Sequence, residues 1–514
     1  MKLITSGEYI KEELRNEIGR LPASFIPINN KRLYEWQITL LESQPGATTI
    51  SLPSCFELSS FDRHSLESRG VRIVRCPSGV SLGASILTAI SDLDDSESLT
   101  ILHGDTLFDT VSFPHNQSIF LVGQSGFEYD WDKISPHSEE THAGSLTGYF
   151  YFSSGKKFRG ALCEANMDFV KAIDIYRKDE PVKLQSSDGW KDFGHRNSLF
   201  NNKKSFLISR YFNQIEANVH TVKKRSADHD KLQREFAWYQ AIPESLKLFT
   251  PKTVGQLERL GNHSQYELEL IPGFTLAEIY VFGKKDRNYW GNVLKELAKL
   301  LTIFYEQGEI YRRSQLKQST LSKINDDLFL KKTLHRLHRI NFLSESERKS
   351  YVDIAIEVAA SIPPTEPRHV AFAHGDLCLS NILMNTHSDR LYLIDPKGAE
   401  CVESPNLSDI RYDIAKLFHS FIGGYDHILA ERYYESDVSL SFEGGDMQKM
   451  DSLCAEFVAA LAPPEAKVTT KEIIAITIHL FLSMIPLHND NTRRQKSFLK
   501  NVYRLVEMLD KTKI

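Results

Sequence analysis

The pattern of apolar residues changes period near residue 200, and that change constrains the fold more than any other feature of the chain. Before it, short β-branched runs, TTISLP at 48–53, VRIVRCP at 71–77, LTILHGD at 99–105 and SIFLVGQ at 118–124, alternate with segments of helical period such as Lys31–Glu42 and Leu82–Leu93. Strands that alternate with helices predict an α/β domain with a mostly parallel sheet, and ligands of such sheets sit at the carboxyl ends of strands. After it, polar-alternating segments (SFLISRYFNQIEANVHTVKKRS and SQYELELIPG) flank a helix-like DHDKLQREFAWYQAI, and beyond Thr275 the pattern is mainly helical. A small β-rich lobe followed by a large helical lobe is expected. FNNKKSFLIS at 200–209 is the candidate joint, and SIPPTEPRH at 361–369 reads as a loop because its three prolines forbid a continuous helix.

The chain has 514 residues, too many for one core of ordinary size, and its 41% hydrophobic and 25% charged content is that of a globular protein. Lys plus Arg is 62 against 67 Asp plus Glu, a net charge of −5, which gives no global reason to bind nucleic acid or anionic lipid. The six cysteines, Cys55, Cys76, Cys163, Cys378, Cys401 and Cys454, are scattered singly, without zinc-type clustering, as in a reducing compartment. The N-terminus lacks the apolar run of a signal peptide, and no stretch approaches a membrane span of about 20 apolar residues. A cytoplasmic location, without membrane insertion and with small-molecule partners, is the expectation.

HVAFAHGDLCLSNILMN at 369–385, followed by RLYLIDPKG at 390–398, is the sharpest signal. Asp376, in a loop after an apolar run, can accept a hydroxyl proton. Asn381 and Asp395 offer hard oxygen donors of the kind Mg²⁺ prefers, and the flanking apolar stretches read as two short strands that hold them. These residues resemble the aminoglycoside phosphotransferase and choline kinase family, with its H-G-D-x-x-x-x-N loop and later I-D-P or D-x-D segment. The resemblance implies a bilobal protein-kinase-like domain that uses ATP and Mg²⁺. Asp376 is then the catalytic base, Asn381 and Asp395 the metal ligands, and His374 a structural member of the loop. In SDIRYDIAKLFHS at 408–420, Asp413 would steady that loop. Lys224 is implied as the phosphate-binding lysine and Glu235 as its partner on a helix, with Lys223 an open alternative. Gly273 marks the crossing between lobes, so backbone near Glu269 and Leu270 would meet adenine. No G-x-G-x-x-G occurs in the small lobe.

In the first half, GRLPASFIPINNKRLYEWQI at 19–38, LTILHGDTLFD at 99–109 and TGYFYFS at 147–153 resemble the sugar-phosphate and phosphocholine nucleotidyltransferases, a Rossmann-like GT-A fold family. That resemblance implies metal binding by Asp105 and, in GWKDFGHRNSLF, by Asp192. It implies a close approach of Gly83 to the base and contact of Arg20 with a triphosphate. The glycine-rich loop is degraded: only Gly7 and the pair Gly19–Arg20 echo it, and the family's Pro-Lys is Pro22-Ala23 here, so the missing charge must come from Arg20, Lys31 or elsewhere.

The expected organisation is thus an α/β chain: a nucleotidyltransferase-like domain at 1–203, then a phosphotransferase domain at 204–514 with a small lobe at 204–272 and a helical lobe at 273–514. A kinase that phosphorylates a small alcohol or sugar makes the phosphomonoester that a nucleotidyltransferase joins to a second NTP, and fusion raises the effective concentration of that intermediate. The resemblance implies supply of an NDP-activated building block for a surface polysaccharide. The alternatives are a kinase whose first half is an inactive sensor or docking module, and a scaffold with vestigial sites. Tyr425, Tyr433 and Glu443 can serve a cationic acceptor or merely pack and solvate.

Overall fold

The computed structural model describes residues 1–111, 117–123, 145–187, 189–206, 213–314, 316–386, 388–398, 406–436, 440–443 and 450–512. Part of the candidate joint (207–209) and Cys401 lie outside them; the other five cysteines are free thiols. The chain forms two compact units, residues 1–207 with 282–284, and 208–281 with 285–514. The short return at 282–284 departs from a continuous division of the sequence.

Unit 1 is built on β1 (Lys2–Thr5), β2 (Thr48–Pro53), β3 (Arg72–Cys76), β4 (Leu99–His103), β5 (Ser118–Gly123), β6 (Ser145–Phe152) and β7 (Val182–Ser186). They form one seven-stranded sheet in the order β7-β5-β6-β4-β1-β2-β3. Neighbours run parallel except around β6, which is antiparallel to both β4 and β5. β4 and β5 are buried along their whole length, which is why they read as unbroken apolar runs and not as alternating ones. Helices α1 (Leu82–Ala89), α2 (Gly155–Glu164) and α3 (Phe169–Asp179) start at Ser81, Ser154 and Asp168, whose side chains each accept a backbone N–H of the first turn. α1 is shorter than the apolar period predicts, and the helix expected from Lys31 runs over Leu33–Leu41, entered at Arg32, whose backbone N–H is accepted by Glu35 Oε1 at 2.9 Å. Phe120, Phe150, Phe152, Phe158, Phe169 and Tyr176 fill the core, largely edge to face.

Unit 2 opens with an antiparallel sheet of β8 (Asn213–Ala217), β9 (Thr221–Ser226), β10 (Thr253–Leu260) and β11 (His263–Glu269), in the order β8-β9-β11-β10. α4 (His229–Gln240) follows β9 and is capped by Asp228. The helical part includes α5 (Leu330–Leu337), α6 (Ile410–Phe421), α7 (Thr470–Met484) and α8 (Thr492–Lys511). Between them the hairpin of β12 (Ile382–Asn385) and β13 (Arg390–Leu393) pairs Ile382 with Leu393. The reading that no stretch approaches a membrane span needs correction: Thr470–His488 is long and apolar enough to pass that test. Its side chains from Glu472 to Met484 are all buried, and α7 packs against α5, α6 and α8, as a core helix does.

Candidate functional site

In unit 2 the β12–β13 hairpin sets the site. Asn381 precedes β12 and accepts the N–H of Ile394 at 3.0 Å through its backbone oxygen, so the register of the hairpin places Asn381 beside Asp395. Asp395 adopts φ +56°, uncommon for a residue with a side chain and a mark of a functionally constrained turn. Asn381 Nδ2 donates to Asp376 O at 2.9 Å and to Asp376 Oδ2 at 3.0 Å, so its Oδ1 is the atom that could bind a cation.

Lys224, on β9, donates to Glu235 of α4 and, at 3.0 Å, to Asp395 Oδ1. Tyr266, paired with Lys224 across the sheet, donates to the same Glu235 oxygen at 2.9 Å. Burial opposes the charge on Lys224, but the carboxylates of Asp395 and Glu235 outweigh it and hold the pKa above the usual lysine value. Lys223 faces the other side of the strand and pairs with half-buried Glu267 at 2.8 Å. Lys224, tied to Glu235, thus meets Asp395 from 171 positions away, and the hairpin brings Asp395 beside Asn381, which is tied to Asp376.

Asp413, in the first turn of α6, is fully buried and accepts the N–H groups of His374 at 2.8 Å and Gly375 at 2.9 Å, so it holds the loop that carries Asp376 by its backbone. Burial pushes its pKa up to about 7 against the pull of these donors. His374 accepts the Asp376 N–H on Nδ1 at 3.3 Å and donates from Nε2 to Ile394 O at 3.1 Å. Both ring nitrogens are engaged, and burial lowers its pKa to about 4, so it is a neutral brace between loop and hairpin. Lys416 was not singled out in the sequence. Its Nζ lies 2.7 Å from Asp376 Oδ1, so Asp376 is fixed on both oxygens, by Asn381 and by Lys416. The available signal is spacing: Lys416 stands three residues after Asp413 on one helix, hence on the same face.

At the segment expected to meet adenine, the N–H of Glu269 is donated to Lys252 O at 2.8 Å and that of Leu270 to His220 O at 2.7 Å. Gly273 serves packing, since a Cβ there would stand 2.7 Å from Met384 O. Tyr425 and Tyr433 are buried, the first stacked on Phe498 and the second accepting Ser497 Oγ at 2.7 Å; Glu443 is exposed.

In unit 1, Asp105 follows β4 and Asp192 ends the short strand Lys191–Asp192, which pairs with Thr106–Leu107 so that Asp192 stands opposite Thr106. Gly194 makes this juxtaposition possible: a Cβ there would stand 2.3 Å from Asp105 Oδ2. Burial first, and the charge of Asp192 second, raise the Asp105 pKa to about 6. Asp192 accepts Gly194 N at 2.8 Å and His195 Nδ1 at 2.9 Å, and His195 Nε2 receives Lys11 Nζ at 2.7 Å. Lys11 and His195, neither singled out in the sequence, line a cavity of about 100 Å³ with both aspartates. Arg20 and Lys31 do not line it: Arg20 lies over the Tyr9 ring at 3.9 Å and Lys31 over Trp36 at 5.0 Å. Gly83 is not at the cavity either. A Cβ at Gly83 would stand 2.3 Å from Met167 O, so its small size serves the packing of α1.

Among the described residues no group of three or more His, Cys, Asp or Glu side chains forms a protein-only metal site. Asn381 Oδ1 and the Asp395 carboxylate are hard oxygen donors of the kind Mg²⁺ takes, and the mutual repulsion of Asp105 and Asp192 is what a divalent cation relieves.

No protein-family model matches the chain, and no curated protein matches it in sequence. Among solved structures, a nucleoside-diphosphate-sugar pyrophosphorylase from Vibrio cholerae RC9 is 13% identical over 39% of this chain and 98% of its own, with a TM-score of 0.33. A choline kinase from Streptococcus pneumoniae is 13% identical over 59% of this chain and 90% of its own, with a TM-score of 0.35. An aminoglycoside phosphotransferase from Streptomyces rimosus is 14% identical over 53% of this chain and 87% of its own, with a TM-score of 0.34. At these values the chain shares with both kinds of enzyme a remote likeness of α/β architecture, and it is assigned to no family.

Proposed function

We propose that unit 2 is an ATP-dependent phosphotransferase acting on an alcohol. The observation that carries this reading is the meeting of the Lys224–Glu235 pair with Asp395, next to an Asn381 that is tied to Asp376. Lys224, oriented by Glu235 and Tyr266, supplies a positive charge to the nucleotide phosphates. Asp376 receives the hydroxyl proton of the acceptor; Asn381 and Lys416 fix its two oxygens, so the carboxylate needs no reorganisation as the proton moves. Lys416 also puts a cation next to the point of transfer. Asn381 and Asp395 would hold magnesium, which when bound offsets phosphate charge. Asp413 and His374 act on geometry alone, by holding the loop. Calorimetry of Mg²⁺–ATP binding to the full chain tests the proposal: Lys224→Met should weaken binding at least about tenfold, the scale of a charge-assisted hydrogen bond of about 1.5–3 kcal/mol. Unchanged affinity in that variant counts against it.

A second reading rests on the cavity of unit 1. Asp105, Asp192 and Lys11 offer two hard acids and one ammonium in a small polar recess, which supports nucleotidyl transfer to the phosphomonoester made by unit 2 and, with it, an NDP-activated product for surface polysaccharide. Pyrophosphate release from one of the four NTPs, lost in Asp105→Asn, is the expected outcome. Binding of an NTP without release favours an inactive sensor or docking unit.

A further inference from the structure

The surroundings of Asp376 hold more positive charge than the phosphotransferase reading uses. On α5, Lys332 and Arg336 are four residues apart and so share a face; on α6, Tyr412 and Lys416 do the same. Lys332 Nζ donates to Tyr412 Oη at 2.7 Å, and Lys416, one turn on, reaches Asp376 Oδ1 at 2.7 Å. Arg336 Nη1 donates to Ser483 O at 3.0 Å. Lys397 joins the same side: its side chain lies where a Cβ on Gly375 would be, 3.0 Å away.

Among the described residues the partners of Lys332 and Arg336 are a phenol and a backbone carbonyl, neither of them an anion. Burial and the charges of Lys397, Arg336 and Lys416 hold the Lys332 pKa well below the usual lysine range, and Asp376 opposes this only in part. Half-buried cations whose hydrogen-bond partners are neutral, with one shared carboxylate nearby, are incompletely compensated, and such groups cluster where an anion is to be received. An arginine fork with a lysine beside it matches the oxygens of a phosphate.

We infer that the acceptor alcohol already carries a phosphate ester, seated on Lys332 and Arg336 while its hydroxyl meets Asp376. This rests on the phosphotransferase reading of unit 2 and names its substrate class. In the transfer, the acceptor oxygen forms a bond to the γ-phosphorus, and the bond from that phosphorus to the β,γ-bridging oxygen breaks with its electron pair leaving on ADP. The hydroxyl proton passes to Asp376 and then to water. The product carries two phosphate groups. The basic face also explains why Tyr425 and Tyr433 need not form a receptor for a cation: they pack inward.

The test is a thermal-shift titration of the full chain, saturated with Mg²⁺ and a non-hydrolysable ATP analogue, with inorganic phosphate and with choline chloride as probes. Phosphate should raise the melting temperature of the wild type, and the phosphate concentration needed should rise at least about tenfold in Lys332→Met and in Arg336→Gln, with Lys332→Arg restoring the wild-type response. Lys332→Met removes a desolvated charge, so its melting temperature without phosphate should equal or exceed that of the wild type. No response to phosphate, a response unaffected by both substitutions, or a larger response to choline overturns the inference. The phosphotransferase reading fails separately, when the ATP analogue itself produces no shift. Turnover assays add a second arm: glycerol 3-phosphate or glucose 6-phosphate should be used in preference to glycerol, glucose, glycerate and choline, and preference for any of those four overturns the inference.

Discussion

The two candidate sites treat their carboxylates in opposite ways. In unit 2, Asp376 is held by an amide and an ammonium, Glu235 by an ammonium and a phenol, and Asp413 by backbone N–H groups. In unit 1, Asp105 and Asp192 repel each other, and although Asp192 is bonded to Gly194 N and His195, Lys11 reaches it only through His195. The lesson is that unit 2 is organised before any ligand arrives, whereas unit 1 stores repulsion that a cation releases.

Acid should separate the units most. Burial lowers His369, His374, His427 and His479 of unit 2 to about 4 and His419 well below its ordinary value of 6.5. In such groups the unfolded chain binds more protons, so stability is full above pH 6.5 and is lost as pH falls towards 4. Each of the four lowered to about 4 contributes on the order of 3 kcal/mol to that loss, and the raised carboxyls of Asp413 and Asp426 offset part of it. Among these strongly lowered histidines unit 1 has His103. Hydrogen exchange resolved by peptide should therefore show unit 2 opening first on acidification; earlier opening of unit 1 would break the comparison.

Asp376→Asn comes next. It should lower phosphoryl transfer by about 10²–10⁴-fold, the usual contribution of a positioned acid or base, and leave pyrophosphate release by unit 1 untouched, as coupled assays of ADP and pyrophosphate would read. Lys224→Met leaves Glu235 buried without its cation and should destabilise unit 2 by about 3–5 kcal/mol in denaturant titrations. Asp105→Asn should do the reverse in unit 1. A carboxyl whose pKa is raised in the folded state contributes stability below about pH 4 that is lost as pH rises through about 6, so at pH 8 with a chelator present the amide should gain roughly 1–3 kcal/mol, and at pH 4 nothing. A loss at pH 8 would show that no repulsion is stored. Arg20→Ala is the smallest change: it removes a cation–π contact worth about 0.5–1 kcal/mol and should not alter nucleotide binding, where a marked loss would return Arg20 to the site.

What could be read beforehand followed contiguity. Asp376, Asn381 and Asp395 lie within twenty positions, on a loop and a hairpin whose register follows from local alternation, so their convergence was legible. Lys224 was picked over Lys223 by the period of a strand, and the two residues do face opposite sides. Lys332 and Lys11 were missed because each reaches its site from an element remote in sequence, whereas Lys416 and His195 stand three residues after Asp413 and Asp192 but belong to no motif that singles them out. The errors have one cause. Gly83 and Arg20 were given to ligands by motif, but a glycine or a guanidinium serves whichever partner packing brings closest: Met167 O and the Tyr9 ring.

By itself the sequence determined the sheet of the first half, the small β-rich lobe and helical body of the second, and the order of the acidic and amide ligands, because apolar period and short-range spacing act over a few residues. Only the tertiary structure decided which charges stand opposed and which stand alone. The Asp105–Asp192 repulsion and the basic face around Asp376 depend on distances between elements, and electrostatic energy depends on those distances and on desolvation, neither of which is written along the chain.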